Sequence, residues 1–194
     1  MGALHRKLHE QRGASMLMAL FLLLVALMVS AVVIAAASSA ATTLRSDKAQ
    51  EQSSLAVSSA AEYVRDAFLG KEMDGTIVTR GTSTTYTSDS GGAFRDFVSY
   101  AVPELYRNQN ALPRRTYRLR LSDDTVEDVW ADFEMSYGQN ENTEYPTYIL
   151  AVTLRNWETT PGEHPCSMTL LLCSNLGGSN RRAVTWDGYN VIQR

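Results

Sequence analysis

The sequence predicts an α+β fold, in which a long N-terminal α-helix, transmembrane in its first half, packs on a C-terminal antiparallel β-sheet. Three observations predict this architecture. An uncharged apolar run covers residues 14–44, and small apolar residues then recur at three- and four-residue intervals as far as Phe68. After Pro113 the apolar period changes to two, which is the periodicity of a strand with one buried face.

These patterns divide the chain into five segments. They are a basic leader (1–13), the transmembrane half of the helix (14–44), its amphipathic half (45–69), a variable loop region with short elements (70–112) and an antiparallel β-sheet domain (113–194). The roughly 150 residues beyond the leader and the anchor suit one small domain with a helical stalk.

The apolar run is long enough to remain in a membrane. Between Met16 and Ala37 the only polar side chain is that of Ser30. About 20 apolar residues in a helix cross the hydrocarbon core of a bilayer, whereas the apolar region of a secretory signal has only ~7–15. The run therefore predicts a retained anchor, with membrane lipid as its partner.

The distribution of charge predicts the orientation of this anchor. The formal net charge is −3, but the leader is positive, because Arg6, Lys7 and Arg12 outnumber Glu10. Basic residues beside an apolar helix stay on the cytoplasmic side, so we expect a cytoplasmic N-terminus and an external C-terminal domain. That domain is mildly acidic, which argues against non-specific nucleic-acid binding, and no nucleic-acid partner is predicted.

The helical pattern does not stop where the anchor does. One apolar stripe continues beyond Arg45, and its members are Ala49, Ser53, Ala56, Ala60, Val64, Ala67 and Phe68. Gly70 is the first glycine after Gly13 and is predicted to cap the helix. A helix over residues 14–69 is about 84 Å long at ~1.5 Å per residue.

The segment after Gly70 gives weaker signals. Residues 76–79 and 84–87 suit two weak strands, with a loop over 71–92 as the alternative, and residues 93–110 suggest a short helix or a turn region. Five strand candidates follow, near 117–121, 129–137, 148–154, 166–173 and 183–192. The turn-rich links between them predict an antiparallel meander that covers the second half of the long helix.

Cys166 and Cys173 invite a disulfide in an exported domain. The residues between them alternate as in a strand, and seven strand residues span about 23 Å. A disulfide needs Cα atoms within about 7 Å of one another. A bridge therefore requires a tight turn inside the segment, and in a regular strand the two thiols face opposite sides of the sheet.

Residues suited to catalysis or metal binding are sparse, and the sequence predicts neither an enzyme nor a cofactor. His164 is the only histidine outside the leader. Together with Cys166 it suggests a Cys/His pair in which the thiol is a nucleophile, although the favoured interpretation is a histidine in a surface turn. A cluster of acidic residues suggests a Ca²⁺ site, although the favoured interpretation is a solvated charged turn, because the spacing of an EF-hand is absent. Its members are Asp123, Asp124, Glu127 and Asp128.

Two further clusters have competing interpretations. A basic stretch that would suit DNA binding follows Pro113, and its members are Arg114, Arg115, Arg118 and Arg120. Pairing with Asp132 and Glu134 on a neighbouring strand is favoured. Residues 186–189, Trp-Asp-Gly-Tyr, predict a hairpin turn or a bulge flanked by aromatic side chains. These rings either form a platform for a carbohydrate or a partner or, as we expect, pack under the C-terminal loop.

The chain resembles the type IV pilins and pseudopilins. The resemblance is carried by Arg12-Gly13, the apolar Ala14-Ser15-Met16-Leu17-Met18-Ala19-Leu20 that follows at once, the amphipathic extension and the C-terminal sheet. In that family a prepilin peptidase cleaves after the glycine, on the cytoplasmic side. The resemblance implies cleavage at Gly13, with Ala14 as the methylated new N-terminus. It is specific over residues 6–69 and architectural beyond them.

One position departs from the family. Ordinary pilins carry a glutamate at the fifth mature position, where this chain has Met18. The family's glutamate is thought to neutralise the N-terminal amine of a neighbouring subunit already in the filament. A subunit without it fits a place with no older neighbour, such as the tip or an initiation complex. In this respect the chain is most similar to the PilX-type minor pilins and the tip pseudopilins of type II secretion.

The resemblance thus implies a minor pilin-like structural subunit, whose partners are prepilin peptidase and other pilin subunits. The machine would be a pilus (fimbrium), a secretion system or a DNA-uptake apparatus in a bacterial inner or plasma membrane. Two alternatives stay open. One is an uncut, signal-anchored, single-pass extracytoplasmic binding or sensor domain, and the other is a secreted hydrolase whose signal is cleaved around residues 35–41.

Overall fold

A computed structural model describes residues 2–88, 92–120, 128–139, 146–158, 164–177 and 182–193. Its elements, in chain order, are α1 (Gly2–Leu69), β1 (Gly75–Arg80), β2 (Ser83–Ser88), α2 (Arg95–Arg107), β3 (Arg114–Leu119), β4 (Val129–Gln139), β5 (Pro146–Arg155), β6 (Ser167–Gly177) and β7 (Ala183–Gln193). The long apolar helix followed by an antiparallel sheet confirms the predicted α+β class.

The first helix is longer than the sequence predicts at its start and ends where expected. α1 begins at Gly2, so the backbone of the leader is helical too. At the other end, the amide of Gly70 still donates to the carbonyl oxygen of Asp66 over 2.8 Å. A Cβ at position 70 would lie 2.6 Å from that oxygen, so the close approach requires glycine. The left-handed conformation belongs to Lys71, with φ at 67°.

The chain is divided into two compact units. The N-terminal unit is Met1–Lys48 and the C-terminal unit is Ala49–Arg194. In the N-terminal unit, α1 contains one stretch that is long and apolar enough to cross a membrane. In the C-terminal unit, the remainder of α1 packs with α2 and the sheet around a single hydrophobic core.

The described strands form one seven-stranded sheet in the order β2-β1-β7-β6-β5-β4-β3. All six pairings are antiparallel, and the meander β3 to β7 confirms the five predicted strands. The two weak strands are also present, as a hairpin. The sequence did not predict that this hairpin would extend the main sheet, which it does by pairing Gly75 with Val184 of β7.

The core lies between the sheet and one face of α1. Ala56, Ala60, Val64 and Phe68 are all buried, which confirms the predicted stripe. The ring of Phe68 stands edge-on to Trp186, with centroids 5.1 Å apart, and lies 6.4 Å from the ring of Phe133. Each fully buried side chain of this size contributes ~1.5–3 kcal/mol relative to exposure, so this aromatic cluster fixes the end of α1 on the sheet.

A β-bulge in β7 explains the Trp-Asp-Gly-Tyr segment. Cys173 pairs with Gly188 but the next residue, Ser174, pairs with Trp186, so Asp187 has no partner on β6. The amide of Trp186 donates instead to the side chain of Asp74 over 3.0 Å. The predicted bulge is confirmed, and the Trp186 ring is buried against α1, which favours packing over an exposed platform.

Candidate functional site

The predicted processing residues all lie on the first turns of α1. Arg6, Lys7, Arg12, Gly13 and Ala14 have helical backbone, and the surroundings of their side chains lie outside the part of the chain that the structure describes. Cleavage at Gly13 therefore stays a prediction.

Directly after these residues, the N-terminal unit presents an apolar surface on every side of the helix. Met18, at the predicted fifth mature position, is 68% exposed, and every other large apolar side chain from Met16 to Ile34 is exposed as well. Burying apolar surface away from water is favourable by roughly 25 cal/mol per Å². The surface is therefore built to be covered, and its length fits a membrane.

Four hydroxyl groups of this segment, those of Ser30, Ser38, Thr42 and Thr43, donate hydrogen bonds inside the helix. Ser30 donates to the carbonyl oxygen of Ala26 over 2.8 Å, and Thr42 donates to that of Ser38 over 2.9 Å. Thr43 makes the same contact with Ser39. Because an unsatisfied polar group is costly in hydrocarbon, these bonds let lipid or a neighbouring helix cover the segment as far as Leu44.

A buried polar cluster interrupts the apolar contact between α1 and the sheet in the C-terminal unit. We call it the latch, and its members are the side chains of Ser53 and Asn156 with the backbone of His164 and Cys166. Ser53 is 5% exposed, and its hydroxyl donates to the carbonyl oxygen of His164 over 2.8 Å. The amide group of Asn156, just after β5, donates both to Ser53 and to that same carbonyl. The Asn156 side-chain oxygen accepts from the amide of Cys166 over 2.7 Å.

Sequence reasoning missed this latch. Ser53 is a hydroxyl in an otherwise apolar stripe, which is a signal for a buried hydrogen bond. Its partners follow β5 and precede β6, so nothing near Ser53 in the sequence identifies them. The latch gives His164 a structural position through its backbone carbonyl.

The arginines of β3 mostly pair with carboxylates, as expected, but with partly different partners. Arg114 contacts Glu134 at 2.8 Å, as predicted. Arg118 instead contacts Asp128 at 2.5 Å. The other predicted partner, Asp132, contacts Arg155 of β5 at 2.9 Å. The correction follows from register, because Asp132 lies opposite Thr116 on one side and diagonally from Arg155 on the other.

Asp132 is held by side chains of the two strands that flank β4. Burial raises the pKa of Asp132, but hydrogen bonds from Arg155 and Thr116, with the charge of Arg155, outweigh burial and leave that pKa below its ordinary value of 3.8. The two hydrogen bonds measure 2.9 and 2.6 Å. Asp132 and Glu134 flank a groove of about 290 Å³ on the outer face of the sheet, whose other walls include Arg114, Thr116, Ala151 and Thr153.

The Ca²⁺ alternative rests mostly on residues that the structure does not describe, whereas both cysteines of the disulfide alternative are described. No group of three or more His, Cys, Asp or Glu side chains within them is placed to hold a metal ion. Asp123, Asp124 and Glu127 lie outside the described residues, and Asp128 pairs with Arg118 and Arg120. Cys166 and Cys173 form no disulfide, because β6 runs extended between them as predicted.

Comparison with known proteins yields no relative. No protein-family model, no curated protein and no solved structure matches the chain.

Proposed function

We propose that this protein is a minor type IV pilin-like structural subunit that takes part in the assembly of a pilus or pseudopilus, at the tip or in an initiation complex. One observation carries the proposal. Arg12-Gly13 immediately precedes the exposed apolar surface, and α1 continues from that surface to residues that pack on an antiparallel sheet.

The apolar surface suits two successive environments. Before assembly, lipid covers it, with the basic leader in the cytoplasm and the C-terminal unit outside. After assembly, helices of neighbouring subunits cover it. Lipid tails are about as apolar as leucine side chains, so exchanging lipid for helices changes little in the hydrophobic term, and close packing decides the outcome. The small residues at 35–41 allow such packing.

Met18 supports a place at the tip or in an initiation complex. A carboxylate in a membrane helix is costly, by up to ~2.5–3.5 kcal/mol at the helix centre and by less near its ends, so a pilin keeps one only where it has a use. This chain has no acidic residue between Glu10 and Asp47. A subunit that has no older neighbour has no amine to neutralise.

The test is the N-terminus of the membrane-extracted protein, expressed with and without a prepilin peptidase and identified by mass spectrometry. We expect a start at Ala14, with a methylated amine, only when the peptidase is present. Gly13→Leu should block the change, whereas Ala14→Ser, a matched small substitution on the other side of the bond, should not.

Two results would contradict the proposal. An intact N-terminus in the presence of an active peptidase would favour the uncut, signal-anchored binding or sensor domain. A soluble product that begins beyond residue 41 would favour the secreted protein.

A further inference from the structure

The C-terminal unit carries two uncovered surfaces of opposite charge. The first is an acidic ridge on the outer side of α1, and its members are Glu51, Leu55, Ser59, Glu62, Tyr63 and Asp66, all exposed. Asp66 already contacts Arg65 at 2.8 Å, so Glu51 and Glu62 are the carboxylates that the ridge offers to a partner. At about 100° per residue, these positions share roughly one third of the helix circumference. Leu55 is 60% exposed and Tyr63 is 51% exposed, so the ridge also leaves apolar surface in water.

The second surface is a basic edge at β3, which is the last strand of the sheet on its side. Its members are Leu112, Arg114, Arg115, Arg118 and Arg120, all exposed. Arg120 is the least engaged of its paired arginines, since its side chain is 79% exposed and its contact with Asp128 is 4.0 Å long. Charged side chains on an edge strand oppose backbone pairing with a strand of another chain. The edge is therefore suited to a contact made by its side chains.

The two surfaces have similar lengths and run in opposite directions. At one end, Ser53 of α1 bonds to Asn156, the residue after Arg155 of β5. Arg155 and Arg118 of β3 both pair with Trp130, so the Ser53 end of α1 corresponds to the Arg118 end of β3. At the other end, the ring of Phe68 lies beside Phe133, whose partner on β3 is Arg115. Glu51 and Glu62 are about 16 Å apart along the helix, and Arg114 and Arg120 are about 20 Å apart along the strand.

We propose that the acidic ridge of one copy of this chain docks on the basic edge of a second copy, with Glu51 facing Arg120 and Glu62 facing Arg114. When two C-terminal units lie side by side in the same orientation, the Glu51 end of one ridge lies level with the Arg120 end of the neighbouring edge. Leu55 and Tyr63 are covered in the same contact, which adds a hydrophobic term to the charge pairing.

This interface goes beyond the proposed function and does not depend on it, because it requires only the C-terminal units of two copies. The opposite charge of the two surfaces makes one chain complementary to itself. A partner of uniformly acidic or uniformly basic character would fit only one of them.

The experiment measures energy transfer between full-length copies that carry a donor or an acceptor at the C-terminus, reconstituted together in lipid vesicles. For the unaltered chain we expect association that weakens between about 20 mM and about 500 mM salt, as the Debye length shortens. Glu51→Arg in both copies, or Arg120→Glu in both, should lower the association constant about two- to fivefold for each pair lost.

Mixing a Glu51→Arg copy with an Arg120→Glu copy should restore association, because each interface then again joins opposite charges. The control is Arg80→Glu, which makes the same charge change at an exposed end of β1 outside both surfaces and should leave association unaltered. Unchanged association in the single variants, or no recovery in the mixture, would overturn the proposal. N-terminal processing of the same samples is read separately, so the failure of this interface is distinguishable from the failure of the pilin-like function.

Discussion

Ser53 of α1 and Asn156 at the end of β5 are hydrogen-bonded to one another across 103 positions of the sequence. Both side chains are buried, and both bond to the carbonyl oxygen of His164. The buried stripe from Ala56 to Phe68 adds apolar contacts to the sheet, and these contacts do not have the directionality of a hydrogen bond. The latch specifies which turn of the helix meets which end of the sheet.

We expect Asn156→Ala to destabilise the C-terminal unit more than Ser53→Ala. Ser53→Ala leaves the carbonyl of His164 with the Asn156 bond, and should cost about 1–2 kcal/mol. Asn156→Ala also deprives the amide of Cys166 of its acceptor, and should cost about 2–3 kcal/mol. Urea unfolding of the full-length chain in detergent, followed by near-ultraviolet circular dichroism, measures both changes.

The matched control for the latch is Ser54→Ala, the exposed serine next to Ser53 on the same helix. Surface changes of this kind usually stay within ~0.5 kcal/mol. Equal effects of Ser53→Ala and Ser54→Ala would mean that the latch does not contribute to stability.

Phe68→Ala should be the most damaging single truncation in α1. Phe68 is fully buried and contacts the rings of Phe94, Phe133 and Trp186. Removing a buried phenylalanine costs about 3–5 kcal/mol, through lost transfer free energy and the cavity left behind. The same unfolding measurement applies, with Leu55→Ala on the exposed side of the helix as the control. A loss below about 1 kcal/mol would mean that the end of α1 is not fixed by this cluster.

Asp132→Asn should change how stability depends on pH. The pKa of Asp132 in the folded protein lies below its ordinary value of 3.8 because of Arg155 and Thr116, against the opposing effect of burial. The ionised carboxylate therefore stabilises the fold at pH values above the unfolded pKa, and that stabilisation is lost as pH falls through the folded pKa.

Thermal unfolding between about pH 6 and pH 3 checks this prediction. The difference between the unaltered protein and Asp132→Asn should be largest near neutral pH and should shrink in acid. Glu134→Gln, on the same strand and paired with Arg114, controls for the loss of a carboxylate in general. A difference that is constant with pH would contradict the role given to Asp132.

The sequence predicts those parts of this fold that repeat over short distances. The buried stripe from Ala56 to Phe68 has a helical period, and the meander β3 to β7 has a period of two with turn residues between strands, so local patterns were sufficient. The place of the β1–β2 hairpin was not predictable, because its pairing with Val184 joins two distant, weakly patterned segments. The partners of Ser53 and Asp132 depend on register across the sheet, which a single sequence does not display.

Under the proposed pilin-like function, Met18→Glu should raise the number of copies of this protein per filament. The change supplies the glutamate that ordinary pilins carry at this position and lets the subunit neutralise the amine of an older neighbour, so we expect more copies per filament. Position 18 is only five residues beyond Gly13, near the end of the span, where a charge costs less than the ~2.5–3.5 kcal/mol at the helix centre.

Quantitative mass spectrometry of sheared filaments gives the ratio of this subunit to the principal one. Met18→Gln is the control, because it has a similar size and polarity but cannot neutralise an amine. Equal ratios for the two variants would show that the absence of a glutamate does not confine this subunit to the tip.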